Sequence, residues 1–161
     1  MPLIPMTLQG PLTQLFTQTA PTPEQSAETM ANAYAQYAST ALFGAGVPIF
    51  TGLEKATMKA TLLAVLNPAI PNPAGFAGAW SSGISAFWLS PPIMVGGALA
   101  GPVTSVPGAA SIVAAMLPLL IIPSKPAALA AAGLTAAIHA ATLTTIATLQ
   151  PPPGGAPVPI S

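Results

Sequence analysis

From Leu89 to Pro126 the chain holds one charged side chain, Lys125, and is punctured by Pro91, Pro92, Pro102, Pro107, Pro118 and Pro123. Proline has no backbone N–H and clashes with the preceding helical turn, so it ends or kinks helices. A long uninterrupted helix is therefore excluded here, and so is a well-solvated surface. The same punctuation runs through the whole sequence, which has 21 prolines and 14 glycines in 161 residues. It leaves room for short helices and extended connections.

Helix signals fall where that punctuation allows them. Thr22-Pro23-Glu24-Gln25 reads as an N-cap, a proline at the first helical position and a capping-box partner. The helix predicted over 23–43 is amphipathic. Glu24, Glu28, Asn32 and Gln36 recur on one face, read as solvated, and Met30, Tyr34, Tyr37 and Ala41 on the other. Thr51 to Glu54 repeats the capping logic for a helix over 52–66, and Asn72-Pro73 opens another that runs to Leu89. Residues 91–106 carry glycine and proline with little helical period and read as extended chain. Helices are predicted over 108–122, with Pro118 inside or at its end, and over 125–149, with a weaker one over 11–19. The fold class is all-α: a compact bundle of five or six short helices, residues 1–150, with a Pro-rich extended tail over 151–161. Small residues such as Gly133, Ala137 and Ala141 would suit close helix contact. No repeat of fixed period is present.

Charge restricts function. Charged residues make up 4% of the chain with a net charge of zero, against about 25% in ordinary domains. Glu24, Glu28, Glu54, Lys55, Lys59 and Lys125 are all of them. Nucleic-acid binding needs clustered Lys and Arg, and three lysines without arginine do not supply it. There is no cysteine for disulfides or thiolate metal sites. The first sixteen residues lack a basic region, are broken by Pro2, Pro5 and Pro11, and do not read as a signal peptide.

A membrane-spanning helix needs about 20 apolar residues. Only 126–149 is long enough, and it carries Thr135, His139, Thr142, Thr144, Thr145 and Thr148. Every aromatic residue lies at or before Trp88, unlike the paired interfacial belts of membrane proteins. The leading expectation is a subunit covered by neighbours; the alternative is a small helical membrane protein, pore-forming or holin-like.

Chemistry-bearing groups are few. His139 is the sole histidine, with no Asp or Cys available to form a catalytic set. Thr135, His139 and Thr142 share a helix face and read as a hydrogen-bonded polar stripe at a helix contact. The glycines of 96–101 lack the lysine and spacing of a phosphate-binding loop. No catalytic residue, cofactor, metal or small-molecule substrate is expected, and the chain reads as a non-enzyme. Phe87, Trp88, Pro91 and Pro92 form the candidate interface, since aromatics are enriched at such surfaces. Trp80, Ile84, Phe87 and Trp88 also share one helical face, which favours core.

The segments AQYASTALFGAGVPIFTGLEKATMKATLLAVL, AFWLSPPIMVGGALAGPVTSVPGAAS and AAIHAATLTTIATLQPPPG resemble small Ala/Pro-rich structural proteins of tailed bacteriophages. The likeness covers most of the chain and is one of segment order and composition. It implies a virion component, in the tail or baseplate, assembled in the host cytoplasm. Its partners would be other subunits of the particle, copies of itself among them. No functional residue comes with it.

Overall fold

The computed structural model describes residues 3–17, 22–40, 52–67, 72–89, 92–95, 98–102, 106–121, 126–143, 146–147 and 158–159. Six helices carry the fold: α1 Met6–Thr17, α2 Pro23–Ala38, α3 Gly52–Leu66, α4 Pro73–Leu89, α5 Ala109–Leu120 and α6 Ala127–Leu143. Each packs on the next in sequence, and α6 closes against α1. The result is an all-α ring of neighbouring helices with no open end to the series.

Local sequence sets the starts of α2 and α4. Thr22 Oγ1 accepts from the Gln25 N–H at 3.2 Å, and Gln25 Oε1 accepts from the Thr22 N–H at 3.1 Å. Two donors orphaned by the helix end are thus satisfied reciprocally. At α4, Asn72 Oδ1 accepts from the Gly75 N–H at 3.1 Å, and Pro73 takes the first position, where a missing N–H costs nothing. The start of α5 is fixed by a neighbour: the Ser81 hydroxyl of α4 donates to the Ala109 carbonyl at 2.6 Å.

Three boundaries differ from the sequence expectation. α1 begins before Pro11, with the Pro5 carbonyl accepting from the Leu8 and Gln9 N–H groups at 3.0 Å each. An interior proline costs about 3 kcal/mol, but Leu8, Leu12 and Leu15 are all buried on one stripe. Burying each contributes about 1.5–3 kcal/mol, so packing outweighs the proline. α2 stops at Ala38 with Ser39 as its C-cap, and Ala41 lies outside the described residues. α6 stops at Leu143 instead of reaching 149, and Ile146–Ala147 are extended (β3). Thr144 and Thr145 lie outside the described residues.

Within the stretch read as extended, the described residues 92–95 and 98–102 run extended. Pro92–Val95 (β1) and Ala98–Pro102 (β2) pair antiparallel, with Val95 opposite Ala98 and a bulge between Pro92 and Met94. From the tail, Val158–Pro159 (β4) returns to pair antiparallel with β3.

The core is one cluster with aromatic rings among aliphatic side chains. Tyr34, Tyr37, Trp80, Phe87 and Trp88 are fully or almost fully buried, with Leu8, Leu12, Met58, Leu62, Ile84 and Ile112 around them. Between α5 and α6 the Leu119 side chain packs onto Gly133, where a Cβ would stand 2.9 Å from Leu119 Cδ2. Gly133 and the buried Ala141 therefore serve the helix contact for which their size suits them. Among the described residues, no helix is long and apolar enough to cross a membrane.

Candidate functional site

Alternate helices of the ring meet across its interior through one hydrogen-bonded chain. The Trp88 indole N–H of α4 donates to the Tyr34 hydroxyl of α2 at 2.7 Å. Tyr34 lies 3.3 Å from the Thr142 hydroxyl of α6, and Thr142 donates to the Ile138 carbonyl at 2.8 Å. With Thr142 donating there and Trp88 donating to Tyr34, the Tyr34 proton points to Thr142. All donors then run one way, and each bond polarises the next.

Aromatic packing seals the chain from water. Tyr34 meets Phe87 edge to face at 5.1 Å between ring centroids and Trp80 at 6.3 Å, and Phe87 meets Trp88 at 5.7 Å. Such edge-on pairs add to what burial alone contributes. Burial pushes the Tyr34 hydroxyl far above the usual phenol range, with its bonds to Thr142 and Trp88 opposing the shift only in part. Tyr34 is a structural neutral phenol, not an acid or base for chemistry near neutral pH.

His139 sits at the rim of this chain. Its Nδ1 is 2.7 Å from the Tyr37 hydroxyl, and the two rings cross at 73°. With the neutral ring protonated at Nε2, the Tyr37 hydroxyl donates to Nδ1. Partial burial holds the imidazole below its ordinary pKa, because desolvation disfavours the charged form. Burial likewise raises Tyr37, with the neighbouring Tyr34 adding to it.

The polar stripe on α6 is thus hydrogen-bonded at two of its three members. His139 and Thr142 have partners, whereas the Thr135 hydroxyl is buried and, among the described residues, unpartnered, as is the Trp80 indole N–H. A buried hydroxyl without a partner costs about 1–3 kcal/mol.

The glutamates of α2 do more than face solvent. Glu28 Oε2 lies 2.7 Å from Lys59 Nζ of α3, Glu24 Oε1 lies 3.4 Å from the same nitrogen, and Lys55 Nζ is 3.7 Å from Glu28 Oε1. Asn32 donates to Glu28 at 3.3 Å. The hydrogen bond from Lys59 lowers the Glu28 pKa, and the same bond raises that of Lys59. These groups are exposed, so screening keeps the cluster weak. Its effect is to fix how α2 lies on α3. Glu54, at the start of α3, is buried.

Of the candidate interface residues, Phe87 is 0% and Trp88 1% exposed. They cannot present a surface to a partner: the apolar face of α4 turns inward, and Trp88 uses its one donor on Tyr34. Pro91 lies outside the described residues, and Pro92 begins β1. Sequence reasoning missed Tyr34, Tyr37 and Thr142 as one assembly with Trp88, because the partners lie 54 to 108 residues apart. Among the described residues, no group of three or more His, Cys, Asp or Glu side chains could hold a metal ion.

Comparison with known proteins finds no matching family model, no matching curated protein and no matching solved structure.

Proposed function

We propose that the chain is a structural subunit of a multi-chain assembly, a virion component of the tail or baseplate of a phage-like particle, which acts by packing against larger proteins and copies of itself. The observation that carries this reading is the placement of charge. Glu24, Glu28, Glu54, Lys55 and Lys59 all lie on α2 and α3, and the sixth charged residue, Lys125, is outside the described residues. Elsewhere, large apolar side chains stand in the open: Met6, Leu89, Ile121, Leu129 and Leu143. A surface of this kind, with no net charge to repel other molecules, favours association in water. The resemblance to Ala/Pro-rich phage structural proteins supports the choice of assembly.

The role is non-catalytic in this reading. Among the described residues, Trp88, Tyr34 and Thr142 hydrogen-bond one another in the interior and Tyr37 bonds His139, so in this reading these groups serve packing. Mass spectrometry of purified particles tests the proposal. It expects the chain in fixed stoichiometry with other structural proteins. Recovery in the membrane fraction, released only by detergent, would overturn it in favour of a membrane protein.

A further inference from the structure

α6 turns an uncharged, apolar stripe outward. Its inward face buries Ala131, Leu134, Ile138 and Ala141 beside Thr135 and Thr142, and its outward face shows Leu129, Ala136, Ala140 and Leu143. An apolar stripe left on the outside of a helix is the kind of face that packs against another element. α5, packed beside it, is also uncharged, and it presents Ala114 and Pro118, with Ile121 just past its end 64% exposed. α2 and α3 carry the ion cluster, and the exposed residues of α1 and α4 mix Gln14, Thr17 and Ser82 with Met6 and Leu89.

We infer that the outer face of α5 and α6 is a two-fold interface with a second copy of this chain, in which the α6 helices pack antiparallel across Ala136. This rests on the reading of the chain as an assembly subunit. Two arguments select a second copy as the occupant. First, the α5–α6 face carries no charge among the described residues, and such a face leaves any charge placed opposite it desolvated and unpaired, which is strongly unfavourable. The chain's own α5–α6 face meets that demand, and a two-fold contact sets a face against itself.

Second, the side chains are spaced for it. Leu129 and Leu143, 61% and 44% exposed, lie seven residues to either side of the exposed Ala136. Positions seven apart drift only about 20° around a helix, so the three form one stripe. With Ala136 on the axis, an antiparallel pairing sets each Leu129 against the partner's Leu143. Alanine at the crossing allows an axis separation of about 8 Å. The 17 residues of α6 span about 25 Å. Two helices side by side then offer roughly 500 Å² per copy, or about 1,000 Å² in all, the lower bound for a specific interface. The contact is sufficient for a dimer that the rest of a particle reinforces.

The chain has no cysteine, so single introduced thiols report the geometry cleanly. Variants A136C, L129C and L143C of the full chain are oxidised mildly in cleared lysate and run on a denaturing gel. A disulfide needs Cα atoms within about 7 Å. A136C is expected to form a homodimer band. L129C and L143C alone are expected to stay monomeric, each being about 21 Å from its own counterpart, whereas the two co-expressed cross-link to each other. Adding L129E to A136C should abolish the band, and adding L143K to that pair should restore it. Self-cross-linking of L129C as strong as that of A136C would overturn the inference, as would an A136C chain of native circular dichroism that stays monomeric. If A136C failed to fold, sedimentation of the unmodified chain would decide. A dimer that dissociates on dilution supports the inference, and a monomer at every concentration sinks it. A dimer from a chain absent from all particles would sink the proposed function and leave the interface standing; a chain present in particles without these cross-links does the reverse.

Discussion

The Trp88 indole N–H and the Tyr34 hydroxyl meet at 2.7 Å in the middle of the helix ring, fully shielded from water. Truncating one member of a buried pair strands the other, so Tyr34→Phe should cost about 1–3 kcal/mol. The Thr142 hydroxyl keeps its bond to Ile138, so most of the loss falls on Trp88. Urea unfolding of Tyr34→Phe, Trp88→Phe and the double variant measures the coupling. A double-variant cost smaller than the sum of the singles by about 1 kcal/mol is expected; strict additivity would mean that the bond contributes nothing.

His139 gives the fold an acid-side weakness. Its folded pKa lies below the ordinary 6.5, so the unfolded chain takes up the proton first. Its contribution to stability is therefore full above pH 6.5 and is lost as the pH falls through 6.5 toward the lower folded value. α1 and α5, which pack on α6, hold no titratable side chain, and α2 offers Tyr34 and Tyr37. The urea midpoint should fall between pH 7.5 and 5.5 in the native chain and stay level in His139→Gln. Assembly should survive that substitution, which keeps a donor and an acceptor. An equal fall in both proteins would refute the assignment.

Thr135 is a place where the fold can be improved. Its buried hydroxyl has no partner among the described residues. Thr135→Val keeps the shape and removes the polar atom, so thermal unfolding should be unchanged or stabilised by about 1 kcal/mol. A loss larger than that would show that the hydroxyl is in fact engaged.

Gly133 sits where two opposing effects compete. Alanine is favoured over glycine in a helix by about 1 kcal/mol, but its Cβ would come within 3.0 Å of both Leu119 methyl carbons. Gly133→Ala should therefore be more favourable in a Leu119→Ala background than alone, by about 1 kcal/mol. Equal effects in the two backgrounds would place Leu119 away from α6.

Alkali should act separately from acid. Burial raises both Tyr34 and Tyr37, so their contribution is present below pH 10 and is lost as the pH rises toward their folded values. Tyr34→Phe should flatten the alkaline limb of stability against pH while leaving the acid limb in place.

What the sequence makes legible is local. Thr22, Pro23 and Gln25 announce α2, and Asn72 with Pro73 announces α4, because a cap and its partner lie three residues apart. α1 escapes this logic: Pro11 is a stop signal that the burial of Leu8 and Leu12 overrides, and only tertiary contact can show that. The end of α6 at Leu143 falls inside an alanine- and threonine-rich run that holds no proline or glycine stop between it and Pro151. Phe87 and Trp88 illustrate the limit for sites. Their side-by-side position suggests an exposed anchor or a core element equally, and it is Tyr34, far off in sequence, that makes them core.

The ion cluster between α2 and α3 gives the folded molecule a headgroup. Glu24, Glu28, Lys55 and Lys59 meet there at the surface, while among the described residues α5 and α6 turn alanine and leucine outward. A rigid body so divided adsorbs at a boundary between water and an apolar phase with a fixed orientation. A Langmuir trough should register it as a surface-active particle, lowering surface tension while its helices stay folded, with Lys59 wet and Leu129 dry.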